Sequence, residues 1–174
     1  MSAVVLGAAL LAVGQGNAQQ STAPAPYPLD VVPDKMLFYT PYGPPISLQR
    51  AQAAVSAAIE VATKRGWPMN IAVVDSGANL VAFNRMDGAQ VASIAIAEHK
   101  ARTAVKYRRP TRAFEDAVQK SDSKYVLSLD DVIASRGGIP LVEDGKIIGG
   151  IGCSGGTDPQ DKVVCTAGVA AINK

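Results

Sequence analysis

The stretch GGIGCSGG, residues 149–156, satisfies two catalytic spacings at once. As Gly150-x-Gly152-x-x-Gly155 it is a dinucleotide fingerprint, and as Gly152-x-Ser154-x-Gly156 it is the nucleophile elbow of a serine hydrolase. Both patterns need a strand that runs into a helix, and both need partners elsewhere. A dinucleotide site requires a second parallel strand after the helix and an acidic residue about twenty positions on to hold the ribose. Only 19 residues follow Gly155, and the last helix uses nearly all of them. Asp158 and Asp161 at that helix start would also repel a pyrophosphate. The hydrolase reading lacks its base, because the single histidine, His99, precedes Ser154 and the surrounding sheet reads antiparallel. What remains is backbone work: Gly155 and Gly156 let the chain turn sharply from strand into helix.

Other residue types limit the chemistry further. Two cysteines and one histidine fall short of a zinc ligand set, and the absence of CxxCH excludes covalent c-type haem attachment. Counting along strand and helix from the glycine turn brings Cys153 and Cys165 to similar heights. A disulfide and a pair of buried thiols both fit that placement. The segment HKARTAVKYRRPTR, residues 99–112, carries Lys100, Arg102, Lys106, Arg108, Arg109 and Arg112. Such a run can pair carboxylates or form a solvated helix face. Asp75, Arg85, Asp87, Lys100, Thr103 and Ser154 to Gly156 lie at element ends and could line one pocket. Lys100, Asp75 and Asp87 would then serve acid–base chemistry on a small hydroxy- or oxo-acid; otherwise they are structural bridges and caps. Tyr107 and Tyr125 are candidate ligand contacts, or interface and core aromatics. A net charge of +2 and few interleaved aromatics argue against nucleic acid as a partner.

The elements that must position these residues follow from pattern and caps. Ser47 caps a helix to about Arg65, with a stripe of Ala51, Val55, Ile59 and Val61-Ala62, and Gly66 ends it beneath Trp67. Residues 70–75 (NIAVVD) and 80–85 (LVAFNR) form a hairpin across Ser76-Gly77-Ala78-Asn79. Ala92 to Lys106 reads as an alanine-rich helix, and Thr111 caps a short one over Arg112–Lys120. A second hairpin pairs Ile139–Glu143 with Lys146–Gly152 across Asp144-Gly145. The last helix takes Asp158 as N-cap and Pro159 at its first position, and runs to Ala171. Helices on an antiparallel sheet of two hairpins define an α+β class.

The amino-terminal region differs in kind. Residues 3–13 are apolar but too few to span a bilayer, and Gly16-Asn17-Ala18 offers small residues at the positions a signal peptidase reads. Residues 1–18 are therefore expected to be a signal peptide cut after Ala18, with the mature protein periplasmic or secreted and without a membrane span. Residues 19–46 hold Pro24, Pro26, Pro28, Pro33, Pro41, Pro44 and Pro45, which disfavour helix and central strand. They read as an extended arm that drapes over the domain or a neighbouring subunit. The domain itself spans residues 47–174.

Two segments carry a family resemblance. SRGGIPLVEDGKIIGGIGCSGGTDPQDKVVCTAGVAAI and NIAVVDSGANLVAFNRMDGAQVASIAIAEHKARTAVKYRRPT resemble the GlcG/HbpS family, which includes the C-terminal domain of PduO-type proteins. The likeness runs from about Ser47 to Ile172. It implies a profilin-like α+β fold, a homo-oligomer (octamers are known in the family), and haem as ligand. It also implies, for some extracellular members, redox sensing with a sensor kinase; others belong to glycolate-use operons. Cys153 and Cys165 depart from the usual pattern. With haem as ligand, His99 is the candidate iron ligand, and Lys100, Thr103, Arg85, Gly155 and Gly156 are candidate contacts.

Overall fold

The computed structural model describes residues 32–172, so the leader and the arm up to residue 31 lie outside the described residues. Helix α1 (Leu48–Arg65) starts where the Ser47 hydroxyl accepts the Arg50 N–H and stops at Gly66, whose left-handed conformation closes the cap. Strands β1 (Asn70–Asp75) and β2 (Leu80–Arg85) follow as a hairpin, then α2 (Ser93–Lys106) and α3 (Arg112–Lys120). Strands β3 (Gly138–Glu143) and β4 (Lys146–Ser154) form the second hairpin, and α4 (Asp158–Ala170) closes the domain. The strand order is β2-β1-β4-β3 with every neighbour antiparallel, which is the expected α+β architecture.

The sheet is buried on both faces, so β1 is apolar without alternation from Ile71 to Val74. Ala72 and Val74 point to α2, where they meet Ala97, Ala101, Val105 and Ile147. Ile71 and Val73 point the other way, into a core built with Ala51, Ala54, Val55, Ile151 and Val164 from α1, β4 and α4. The α2 side is set by glycine. A methyl group at Gly150 would lie 2.6 Å from Val105 Cγ2 and 2.8 Å from the Ala101 carbonyl; at Gly152 it would lie 2.6 Å from the Ala101 nitrogen and strike the Ala97 carbonyl. Helix backbone therefore rests almost directly on strand backbone.

Three local expectations change. The N-cap of α4 is Thr157, not Asp158, and Gln160 Oε1 accepts the Thr157 N–H at 2.8 Å in a capping box. Thr111 holds the cap position of α3, but its hydroxyl accepts the Gly138 N–H at 3.0 Å while its own N–H donates to the Gly138 carbonyl. It thereby closes the outer edge of β3, where Pro140 already lacks a donor. Strand β4 continues two residues beyond Gly152, and the segment after α3 contains a short 3-10 turn over Lys124–Ser128.

The described part of the arm lies on its own domain. Strand β1 ends at Asp75 opposite Gly149, leaving the next stretch of β4 without a partner on that side. The arm fills it: Ile147 N–H donates to the Pro41 carbonyl, and Gly43 N–H and Ile46 N–H donate to the carbonyls of Ile147 and Ile148, each at 2.8 Å. Tyr42 adds a hydroxyl bond to the Val105 carbonyl at 3.0 Å.

Gly152→Val is expected to remove several kcal/mol of stability, because the contact at this position is with helix backbone that cannot rotate away. Gly145→Asn, in open space in the hairpin turn, is expected to change stability by less than about 1 kcal/mol. Urea unfolding followed by circular dichroism compares the two.

Candidate functional site

Lys100 lies on the buried face of α2, 1 % exposed, at the end of β4 that runs into α4. Its Nζ donates to Asp161 Oδ2 at 2.7 Å, and Asp158 Oδ1 stands 3.9 Å away. Asp161 is itself 2 % exposed, and its second oxygen accepts the Gly156 N–H at 3.0 Å. One carboxylate thus joins α2, α4 and the glycine loop. Burial pushes the Asp161 carboxyl above the ordinary carboxylate range, against the opposing pull of Lys100 and of the Gly156 amide. The Gly156 amide is committed here. Gly155 is required by crowding, since a side chain there would meet the Pro68 carbonyl and lie 3.0 Å from Met69 Cα.

A second cluster sits on the accessible side of α2. Asp131 receives Lys106 Nζ at 2.7 Å and Arg102 Nε at 3.7 Å, while His99 Nε2 lies 3.1 Å from its Oδ1 without the alignment of a hydrogen bond. Partial burial would raise the Asp131 carboxyl, but Lys106, Arg102 and His99 together hold it below the ordinary range. Beneath them the buried Thr103 hydroxyl donates to the Asp131 carbonyl at 2.8 Å and accepts the Ile133 N–H at 3.2 Å. Thr103 therefore fixes the loop that presents Asp131 to His99.

The basic segment is largely committed within the protein. Arg102 also reaches Glu98, Arg112 pairs with Asp116, Arg108 stacks on Tyr42, and Arg109 lies over Phe38 at 3.6 Å and Phe114 at 5.0 Å. Tyr107 packs edge-on against Phe114 and donates its hydroxyl to the Asp130 carbonyl, whereas Tyr125 is half exposed. Asp75 accepts the N–H groups of Gly77 and Asn79, which makes it the organiser of the first hairpin turn. It sits opposite Gly149, four strand positions from Cys153 and so roughly 13 Å along the sheet from the Lys100 end. Asp87 is exposed beyond β2, and Arg85 is exposed on the edge strand, separated from Ser154 by Asn70 of β1. Lys100 thus finds its carboxylates in Asp161 and Asp158, and the trio with Asp75 and Asp87 is not assembled.

Sequence reasoning missed the Lys100–Asp161 pair, reading Asp161 as a complement to the helix dipole. The signal was present: Ala97, Lys100, Ala101 and Ala104 repeat at helical spacing, which puts Lys100 in the apolar stripe. It also missed Glu115, which is buried and held by Arg136 through side chain and backbone. The hydrogen bonds from Arg136 outweigh burial and hold the Glu115 carboxyl below the ordinary range. Cys153 and Cys165 are joined as a disulfide with Cα atoms 5.6 Å apart, which links the end of β4 to α4. Closing a loop of this length stabilises by about 3 kcal/mol in the chain-entropy model. Among the described residues no three His, Cys, Asp or Glu side chains converge as a metal set, and no helix is long and apolar enough to cross a membrane.

Fold and site together define a single α+β domain whose four-stranded antiparallel sheet carries a buried ion pair at the strand-to-helix turn. The family model described as "Haem degrading protein HbpS-like" matches residues 46–170, and the chain belongs to that family. It is 39% identical over 109 residues to Protein GlcG of Escherichia coli K12, which covers 63% of this chain and 81% of GlcG. The crystal structure of a PduOC:heme complex superimposes with a TM-score of 0.67 at 30% identity, covering 74% of this chain and 95% of that one. A double mutant of HbpS from Streptomyces reticuli gives 0.70 at 27% identity, covering 97% and 99%.

Asp161→Asn and Lys100→Met are each expected to cost about 3–5 kcal/mol, because each leaves a buried group without its partner. The double replacement Lys100→Met with Asp161→Leu is expected to recover much of that loss, as measured by denaturant unfolding. Glu115 has a depressed carboxyl, so its contribution is present above the unfolded-state value and disappears as pH falls through the folded-state value. Glu115→Gln should therefore lose more stability at pH 7 than at pH 3. Intact mass should rise by about 2 Da on reduction of the disulfide.

Proposed function

We propose that this protein binds haem or a related tetrapyrrole, with His99 as the iron ligand. The observation that carries the reading is the place of the single imidazole: a third of the His99 side chain is exposed, and its buried Nε2 stands 3.1 Å from Asp131 Oδ1 without the alignment of a hydrogen bond, so a small side-chain rotation would present it to iron. An imidazole nitrogen that is not engaged in an aligned hydrogen bond is what an axial ligand requires. The solved PduOC:heme complex lends support, since it shares the fold and is 30% identical over the matched 74% of this chain. Bound haem would supply a redox-active iron. The protein's own contribution is positional: Thr103 fixes the loop that brings Asp131 beside His99, and the buried Lys100–Asp161 pair anchors α2, which carries His99 and Thr103. Arg102 and Lys106, which share Asp131 with His99, are the cations that would meet propionates.

The compartment and assembly belong to the same proposal. A disulfide in a chain with an apolar leader supports an exported, oxidising location, periplasmic or secreted. The described arm leaves Met36, Leu37 and Tyr39 largely exposed, which supports a homo-oligomer that covers them. Haem handling, or redox signalling through a sensor kinase, is the physiological role that follows from such a protein.

Titration of haemin into the purified protein is expected to give a Soret shift that saturates at a defined ratio and changes shape in His99→Ala. A featureless, nonsaturating spectrum, or an unchanged spectrum in the variant, overturns the assignment. Light scattering coupled to size exclusion, with and without residues 32–40, checks the oligomer.

A further inference from the structure

A cavity of about 320 Å³ opens between the start of α3, the first residues of β3 and α4. Pro110, Ile139 and Val169 give it apolar walls, and the Gly137–Gly138 backbone forms part of its floor. Three cationic side chains, Arg112, Arg136 and Lys162, line it, and no carboxylate does.

These cations are not equally committed. Arg112 pairs with Asp116, and Arg136 directs Nε and Nη2 to Glu115 while Nη1 meets no acceptor among the described residues. Lys162 has no carboxylate within ion-pair distance among the described residues, although it lies one turn after Asp158. Asp158 is turned away, accepting the Ser135 hydroxyl at 2.7 Å. The excess charge at the cavity is therefore positive, carried by Lys162 and the free edge of Arg136. The volume is at the lower end of small-molecule pockets, about 300–1,000 Å³, room for a short chain or a single ring rather than a porphyrin macrocycle.

We infer that this cavity is a binding site for a small monocarboxylate with an apolar body, whose carboxylate meets Lys162 and Arg136 and whose chain lies between Ile139 and Val169. It is separate from the haem reading, since His99 does not line it. The Glu115–Arg136 pair gives the site its rigidity. Glu115 fixes the guanidinium plane, so the Arg136 fork is held in place before the ligand arrives.

Calorimetric titration of the full chain with hexanoate, hexanamide and inorganic phosphate tests it. Hexanoate is expected to saturate one site per chain, about tenfold tighter than the isosteric amide, the ratio a charge-assisted contact provides. Lys162→Gln, an exposed position, should remove most of that tenfold difference, and Val169→Phe, which fills the cavity, should abolish hexanoate binding while the circular dichroism spectrum is retained. His99→Ala should leave hexanoate binding as it is, so the two sites fail separately. No saturable binding of hexanoate, equal binding of the amide, phosphate binding that matches hexanoate, or hexanoate binding that survives Lys162→Gln unchanged would each overturn the inference.

Discussion

The close approach of α2 to β4 governs the rest of the molecule. Gly150 and Gly152 remove the side chains that would hold helix and strand apart, and Ala97 and Ala101 do the same from the helix. At that separation a long side chain from α2 cannot lie flat between the layers. Lys100 instead reaches the point where Gly137, Cys153 and Asp161 meet and stays buried there; its Nζ is 3.3 Å from where a Gly137 side chain would begin. Burying an ammonium there demands an anion, and Asp161 answers from the next element. The ion pair is thus a consequence of the packing, and the loop geometry at Gly156 is a consequence of the ion pair.

This dependence explains what the GGIGCSGG stretch is for. Its first glycines are steric, its cysteine is covalent, and its last amide is a donor to Asp161. None of the three uses resembles phosphate cradling or nucleophilic catalysis, though all three impose the spacing those motifs share. Ser154 itself is buried at the strand end opposite Asn70, while the imidazole that a hydrolase would need is turned toward Asp131.

The sequence was most legible where periodicity and caps speak locally. Both hairpins, the Ser47 and Gly66 ends of α1 and the span of α2 follow from turn residues and apolar spacing. The placement of Cys153 beside Cys165 could be counted out from the turn because strand and helix are direct neighbours. What stayed illegible was the partner of each charge. Asp131, Glu115 and Asp161 lie 21 to 61 residues from the cations they hold, along paths that no local rule fixes. Asp75 shows the converse error. Its place at a strand end looked chemical, yet its carboxylate satisfies the turn immediately after it.

The link between Cys153 and Cys165 spans the glycine turn, the start of α4 and both carboxylates that face Lys100. Those eleven intervening residues form a covalent ring with the two half-cystines. A peptide bond cut anywhere inside it would open the ring without freeing the C-terminal segment. The oxidised protein could therefore be nicked at its most exposed turn and still keep α4 tethered to the sheet, whereas in the reduced protein the same cut would leave α4 held by packing alone.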